Sequence, residues 1–123
     1  MQEPVTVKNL KVWQKAYALT FQVYKMTESY PKHEIYGLVS QIRRSALSVV
    51  SNFAEGYARR NKAEYQRFLS FSYGSLIEFE TQLLLSKDLS YCSNVEFRKL
   101  DGLRNEIGSM LYAMIEKLKI PRS

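Results

Sequence analysis

Arg59-Arg60-Asn61-Lys62, followed within two helical turns by Arg67, is the densest cationic cluster in the sequence. Guanidinium and ammonium groups gathered in this way suit phosphate, because each contact releases condensed counterions from a nucleic acid. The same residues also suit a solvated helix end. Arg59 and Arg60 would oppose the negative end of a helix dipole, and Glu55 lies four residues before Arg59, the spacing of an ordinary helix-surface pair. Both readings stay open on the residues alone. The cluster belongs to a wider imbalance. Residues 32–70 hold seven basic against three acidic side chains, giving +4, while residues 71–90 hold Lys87 against Glu78, Glu80 and Asp88, giving −2. The whole chain carries +6.

Other chemistry finds little to work with. A di-iron bundle needs Glu-x-x-His on two helices. The chain has one histidine, His33, and Tyr30 stands three residues before it. His33 reads instead as a polar loop residue beside Pro31. The single cysteine, Cys92, can form no intramolecular disulfide, and no Cys/His set has zinc spacing. Cys92 also lacks a nearby histidine or basic cluster, so it reads as a packed or idle thiol. The serines have no positioned base and read as caps or packing residues. No Gly-x-x-x-x-Gly-Lys or Gly-x-Gly-x-x-Gly occurs. No catalytic residue, metal ligand or cofactor is assigned, and no enzyme activity is expected.

Any site must be positioned by helices. With 123 residues, 46% of them hydrophobic and 24% charged, the chain has ordinary globular composition and room for one core. Apolar residues recur every three or four positions in four stretches. Leu10, Trp13, Tyr17, Thr20, Tyr24 and Thr27 mark the first, and Ile35, Leu38, Ile42, Val49, Phe53 and Tyr57 the second. Tyr65, Phe68, Leu69, Leu76, Phe79 and Leu83 mark the third, and Leu100, Leu103, Ile107, Leu111, Met114 and Leu118 the fourth. Asn61 with Glu64, and more strongly Ser93 with Glu96, have the spacing of a helix start. No stretch alternates as a strand would. Helices of about 25 residues run roughly 37 Å, and four of them joined by short turns pack as an all-α, antiparallel, up-down-up-down four-helix bundle. One domain over residues 9–120 is expected, with a flexible segment at 1–8 and a tail at 121–123. The start lacks a secretion signal and no apolar run approaches a membrane span, so a cytoplasmic location without membrane contact is expected.

Helical geometry suggests two further features. Arg43 and Glu80 both fall at the edges of their apolar faces, and an interhelix ion pair between them would satisfy both and fix register. Arg44, Leu47, Ser51, Ala54 and Ala58 recur on the outer side of the second helix and are mostly small or apolar. Phe71, Tyr73, Ile77 and Leu84 similarly lie off the third helix's core stripe. An apolar arc wider than one bundle needs points to an oligomer interface, against the plainer reading of an aromatic-rich surface.

Several segments resemble a known family. They are Leu10-Lys11-Val12-Trp13-Gln14-Lys15-Ala16, Val23-Tyr24-Lys25-Met26-Thr27 and Tyr30-Pro31 in the first helix and turn. In the second they are Glu34-Ile35-Tyr36-Gly37-Leu38, Gln41-Ile42-Arg43-Arg44-Ser45-Ala46 and Asn52-Phe53-Ala54-Glu55-Gly56. In the third they are Glu64-Tyr65, Phe68-Leu69, Gly74-Ser75 and Glu78-Phe79-Glu80-Thr81-Gln82-Leu83. Together they resemble the four-helix-bundle proteins encoded in intervening sequences of bacterial 23S ribosomal RNA genes. Phe53 and Phe79 depart from the aliphatic residues expected there. The resemblance implies a left-handed bundle assembling as a homopentamer. It also implies kinship with the accessory variability proteins of diversity-generating retroelements, which are basic pentamers that bind nucleic acid and a reverse transcriptase.

The expected function is therefore a non-enzymatic oligomer that binds RNA or DNA non-specifically, with Arg59, Arg60, Lys62 and Arg67 repeated around a ring. The alternative is a scaffold whose ring recruits a partner protein, its basic charge serving solubility.

Overall fold

The computed structural model describes residues 6–119. A 3-10 turn at Val7–Asn9 leads into α1 (Lys11–Thr27), and a second, Lys32–Glu34, leads into α2 (Leu38–Tyr57). α3 (Lys62–Asp88) and α4 (Asn94–Lys117) follow, and there is no strand among the described residues. Of the expected flexible lead-in at 1–8, only Thr6, Val7 and Lys8 are described, and Val7 and Lys8 sit in the first turn. The tail at 121–123 lies outside the described residues.

Local chemistry sets the helix ends. At α4 the Glu96 amide donates to Ser93 Oγ at 3.0 Å and the Ser93 amide donates back to Glu96 Oε1 at 2.9 Å, a reciprocal box. At α3 the Glu64 amide donates to Asn61 Oδ1 at 3.1 Å. α3 stops with two backbone bonds, Tyr91 N–H to the Ser86 carbonyl and Ser90 N–H to the Lys87 carbonyl, each 2.9 Å. That closure requires a left-handed residue, and Ser90 supplies it at φ 61° where glycine is usual.

Helices adjacent in sequence pack together, and α1 closes the bundle against α4. Their contacts run in opposite directions. Thr27 receives from Arg43 while Thr20 donates to the Ala46 carbonyl. Ser45 meets Gln82 while Ser72 donates to the Val49 carbonyl. Glu80 meets Arg104 while Gln66 donates to the Ile115 carbonyl. Successive helices are thus antiparallel. Buried serine and threonine hydroxyls bond neighbouring carbonyls, so these small polar residues allow close approach without leaving orphaned groups.

The core is filled by Leu19, Ile42, Phe53, Leu69, Leu76, Phe79, Leu83, Ile107 and Leu111. Phe53 and Phe79 are both fully buried, each worth roughly 1.5–3 kcal/mol relative to exposure. α1 departs from expectation. Its inner face is Val12, Ala16, Leu19, Val23 and Met26, whereas Tyr17 and Tyr24 face outward. Ile35 is exposed ahead of α2, because the Lys32–Glu34 turn delays that helix to Leu38.

The expected Arg43–Glu80 ion pair does not form. Arg43 Nε donates to Thr27 Oγ1 at 2.8 Å and one terminal nitrogen donates to the Tyr24 carbonyl at 3.3 Å. Glu80 lies 3.3 Å from Arg104, which also holds Asp101 at 2.8 Å. The two side chains sit on opposite flanks: Arg43 faces α1 and Glu80 faces α4.

The end holding the α1–α2 and α3–α4 connections is closed by aromatic side chains. Tyr30 is 6% exposed and packs on Tyr91 with ring centroids 5.4 Å apart. Tyr91 Oη donates to Glu34 Oε2 at 2.9 Å. Cys92 is buried beside them.

Candidate nucleic-acid interface

At the opposite end α2 and α3 meet through a four-residue link, Ala58–Asn61. Gly56 makes the approach possible. A Cβ there would stand 2.7 Å from Phe68 Cβ and 3.2 Å from the Tyr65 ring, so any other residue would push the helices apart. The tight link brings Arg59, Arg60 and Lys62 to the tip of the bundle, with Arg67 just beyond on α3, and all four are exposed.

Their surroundings differ. The Arg59 guanidinium donates to Glu55 Oε2 at 2.9 Å and lies 4.8 Å from the Phe68 ring centroid. Arg67 lies 3.8 Å from Glu64 and over both Phe68 and Phe71, at 5.8 and 5.4 Å. Phe68 and Phe71 meet edge to face at 5.7 Å, forming a seat for the two guanidiniums. Arg60 and Lys62 have no acidic partner among the described residues. Four cations against Glu55 and Glu64 leave +2 at the tip. The first turn of α3 adds amides without helical partners and the positive end of its dipole. The arrangement suits a phosphate. It equally retains the Glu55–Arg59 surface pair of a solvated helix end.

The five residues considered for an interface, Arg44, Leu47, Ser51 and Ala54 on α2 and Ala58 just past its end, share one strip. Arg44 ion-pairs with Glu78 and donates to Gln41 at 3.0 Å, Leu47 is about half exposed, and Ala54 is half-buried. Phe71, Ile77 and Leu84 on α3 are also exposed, while Tyr73 is half-buried. Arg44 and Leu47 line a shallow groove with Tyr24, Ile35, Tyr36 and Arg43, a feature the periodicity did not reveal. Its available signal was the composition of α1, which carries three lysines and no acidic residue beside its aromatic rings.

No metal site is assembled among the described residues. His33 is exposed in the second 3-10 turn, and no three His, Cys, Asp or Glu side chains are placed to share a metal. Burial pushes the Cys92 thiol pKa up, with the Glu96 charge adding to it, the reverse of nucleophile activation. Among the described residues no helix is long and apolar enough to cross a membrane.

Comparison with known proteins bears on this geometry. The 23S rRNA-intervening sequence protein family model matches residues 8–113. A crystal structure of a protein of unknown function from the S23 ribosomal protein family, from Bacteroides thetaiotaomicron VPI-5482, has a similar fold. It superposes with a TM-score of 0.77 at 20% identity, covering 85% of this chain and 98% of that one. None of the curated proteins matches the chain.

Proposed function

The chain belongs to the 23S rRNA-intervening sequence protein family, and from that premise we propose a non-enzymatic, self-associating bundle that binds RNA or DNA through phosphate contacts. One observation carries the reading. Arg59, Arg60, Lys62 and Arg67 converge at the α2–α3 tip, with two guanidiniums seated on Phe68 and Phe71 and two cations unpaired by acids among the described residues. Seating a guanidinium on a ring lowers the entropy lost when it grips a phosphate. A net +2 per tip binds weakly, so self-association gives the reading its affinity. A ring of five, joined along the Arg44, Leu47, Ser51, Ala54 and Ala58 strip, would present five such tips at high effective concentration. The reading places the protein in the cytoplasm, where nucleic acid is available.

The test is Arg59→Glu with Arg60→Glu, titrated against a labelled RNA from about 50 to 200 mM salt. Affinity is expected to fall and the salt slope to flatten by roughly two, with the helical circular dichroism unchanged. A folded double variant that binds as the parent does removes the tip from the reading.

A scaffold that recruits a partner protein is the second reading. It is favoured by the apolar side chains Ile77, Leu84, Leu85 and Leu89, each left about half exposed on and just beyond α3. Binding of that kind would change little with salt.

A further inference from the structure

α1 bears more aromatic surface than the bundle uses. Its core face is complete with Val12, Ala16, Leu19, Val23 and Met26. A second row nevertheless runs beside it. Tyr17 and Phe21 are 54% and 53% exposed, and Tyr24 follows one turn later. Trp13, the only tryptophan in the chain, stacks on Tyr17 at 5.1 Å and 20°.

Cations are held against this row. Lys25 Nζ lies 5.7 Å from the Phe21 ring centroid, and the Arg43 guanidinium lies 4.7 Å from that of Tyr24. Arg43 is fixed there by its bonds to Thr27 and the Tyr24 carbonyl. The row then enters the groove of about 460 Å³ beside Tyr36, which is 95% exposed. No acidic residue lies within α1. Of the nearby carboxylates, Glu34 is bonded to Tyr91, Glu78 pairs with Arg44 and Glu106 pairs with Lys15. Glu96, which lines a pocket with Lys25, accepts from the Ser93 amide, and Glu28 stands at the end of the helix.

We propose that this row is a stacking platform for single-stranded nucleic acid, in which Tyr17, Phe21, Tyr24 and Tyr36 receive unpaired bases while Lys25 and Arg43 meet the intervening phosphates. The inference rests on the phosphate-binding reading above and adds a strand preference to it. Exposed rings with cations beside them suit the bases and phosphates of one strand. A duplex hides its base faces and would engage only the cations. The phenol and phenyl faces would accept any base, so this mode carries little sequence preference.

The experiment compares four full-length proteins: the parent, Phe21→Ala with Tyr36→Ala, Phe21→Tyr with Tyr36→Phe, and Arg59→Glu with Arg60→Glu. Each is titrated with a labelled single-stranded RNA of about 20 nucleotides and with its duplex, a length that can span a stacking platform. Trp13 emission and light scattering are recorded in parallel. The alanine pair is expected to weaken single-strand binding by roughly tenfold or more and to leave duplex binding within about twofold. The ring-preserving pair is expected to bind as the parent does. Single-strand binding should quench Trp13 through its stack on Tyr17.

The tip variant should weaken both ligands. If it does so while the alanine pair leaves single-strand affinity unchanged, the platform is wrong and the phosphate-binding reading survives. If the parent binds neither ligand, both fall together. Equal losses on single strand and duplex overturn the platform. So does a change in subunit number without a change in single-strand affinity, which would make the row a contact between copies.

Discussion

The two ends of this bundle are built from the same parts and come out opposite in character. At one end Tyr30, Tyr91, Glu34 and Cys92 tie the α1–α2 and α3–α4 connections together through ring packing and a phenol–carboxylate bond. At the other, the Ala58–Asn61 link turns outward, and its exposed cations are held by surface pairs with Glu55 and Glu64 and by the Phe68 and Phe71 rings. Contacts between distant parts of the chain hold the first end in place. The second end is fixed by local geometry at Gly56, which leaves its side chains free to meet a ligand. Long-range packing thus holds the closed end, while the open end leaves cations exposed.

The largest expected effect breaks the closed end. Tyr30→Ala removes the ring of a residue that is only 6% exposed and should cost about 3–5 kcal/mol in chemical denaturation. A loss below about 1 kcal/mol would show that this end is not a stability determinant. Alkaline pH probes the same asymmetry. Burial raises the pKa of Tyr30 and Cys92, and the Glu34 bond raises that of Tyr91, whereas near the tip burial raises that of Tyr65. The unfolded chain releases protons from ordinary values of 9.0 for the thiol and 10.0 for the phenols, while the folded chain retains them. The unfolded state then binds fewer protons, so stability holds below about pH 9 and falls as pH rises above it. Tyr30→Phe should reduce that loss, measured as melting temperature across the alkaline range. The smallest effect sharpens the comparison. Ser90 occupies a left-handed position, and Ser90→Gly should raise stability by up to about 1 kcal/mol in the same denaturation assay.

The starts of α3 and α4 were legible in the sequence because they are set by local caps. Ser93 and Glu96 form the full reciprocal box, and Asn61 forms the weaker, single cap expected of it. The inner face of α1 was less legible. Tyr17 and Tyr24 share the helical period with a core stripe, but Ala16, Leu19 and Val23 fit the interior more closely than large rings do. Arg43 and Glu80 show a second boundary. Periodicity places a residue at the edge of an apolar face but does not identify which neighbour that edge meets. Arg104, 16% exposed in its side chain and bound to Glu80, was missed for that reason. The four tip cations can be placed together from sequence, since a four-residue link leaves them nowhere else to go. The strip from Arg44 to Ala58 is equally visible as a pattern, whereas the groove beside it needs α1 and α2 to be docked.

The short link at Gly56 also bears on the order of folding. Closing a four-residue connection takes little loop entropy, so the α2–α3 hairpin can form early and without the rest of the chain. The α1–α4 contact joins elements from the two ends of the sequence and has to wait for both. Folding is then expected to proceed outward from the hairpin that carries the cationic tip. In native-state hydrogen exchange, the amides along the α1–α4 seam should lose protection before those where the middles of α2 and α3 pack together.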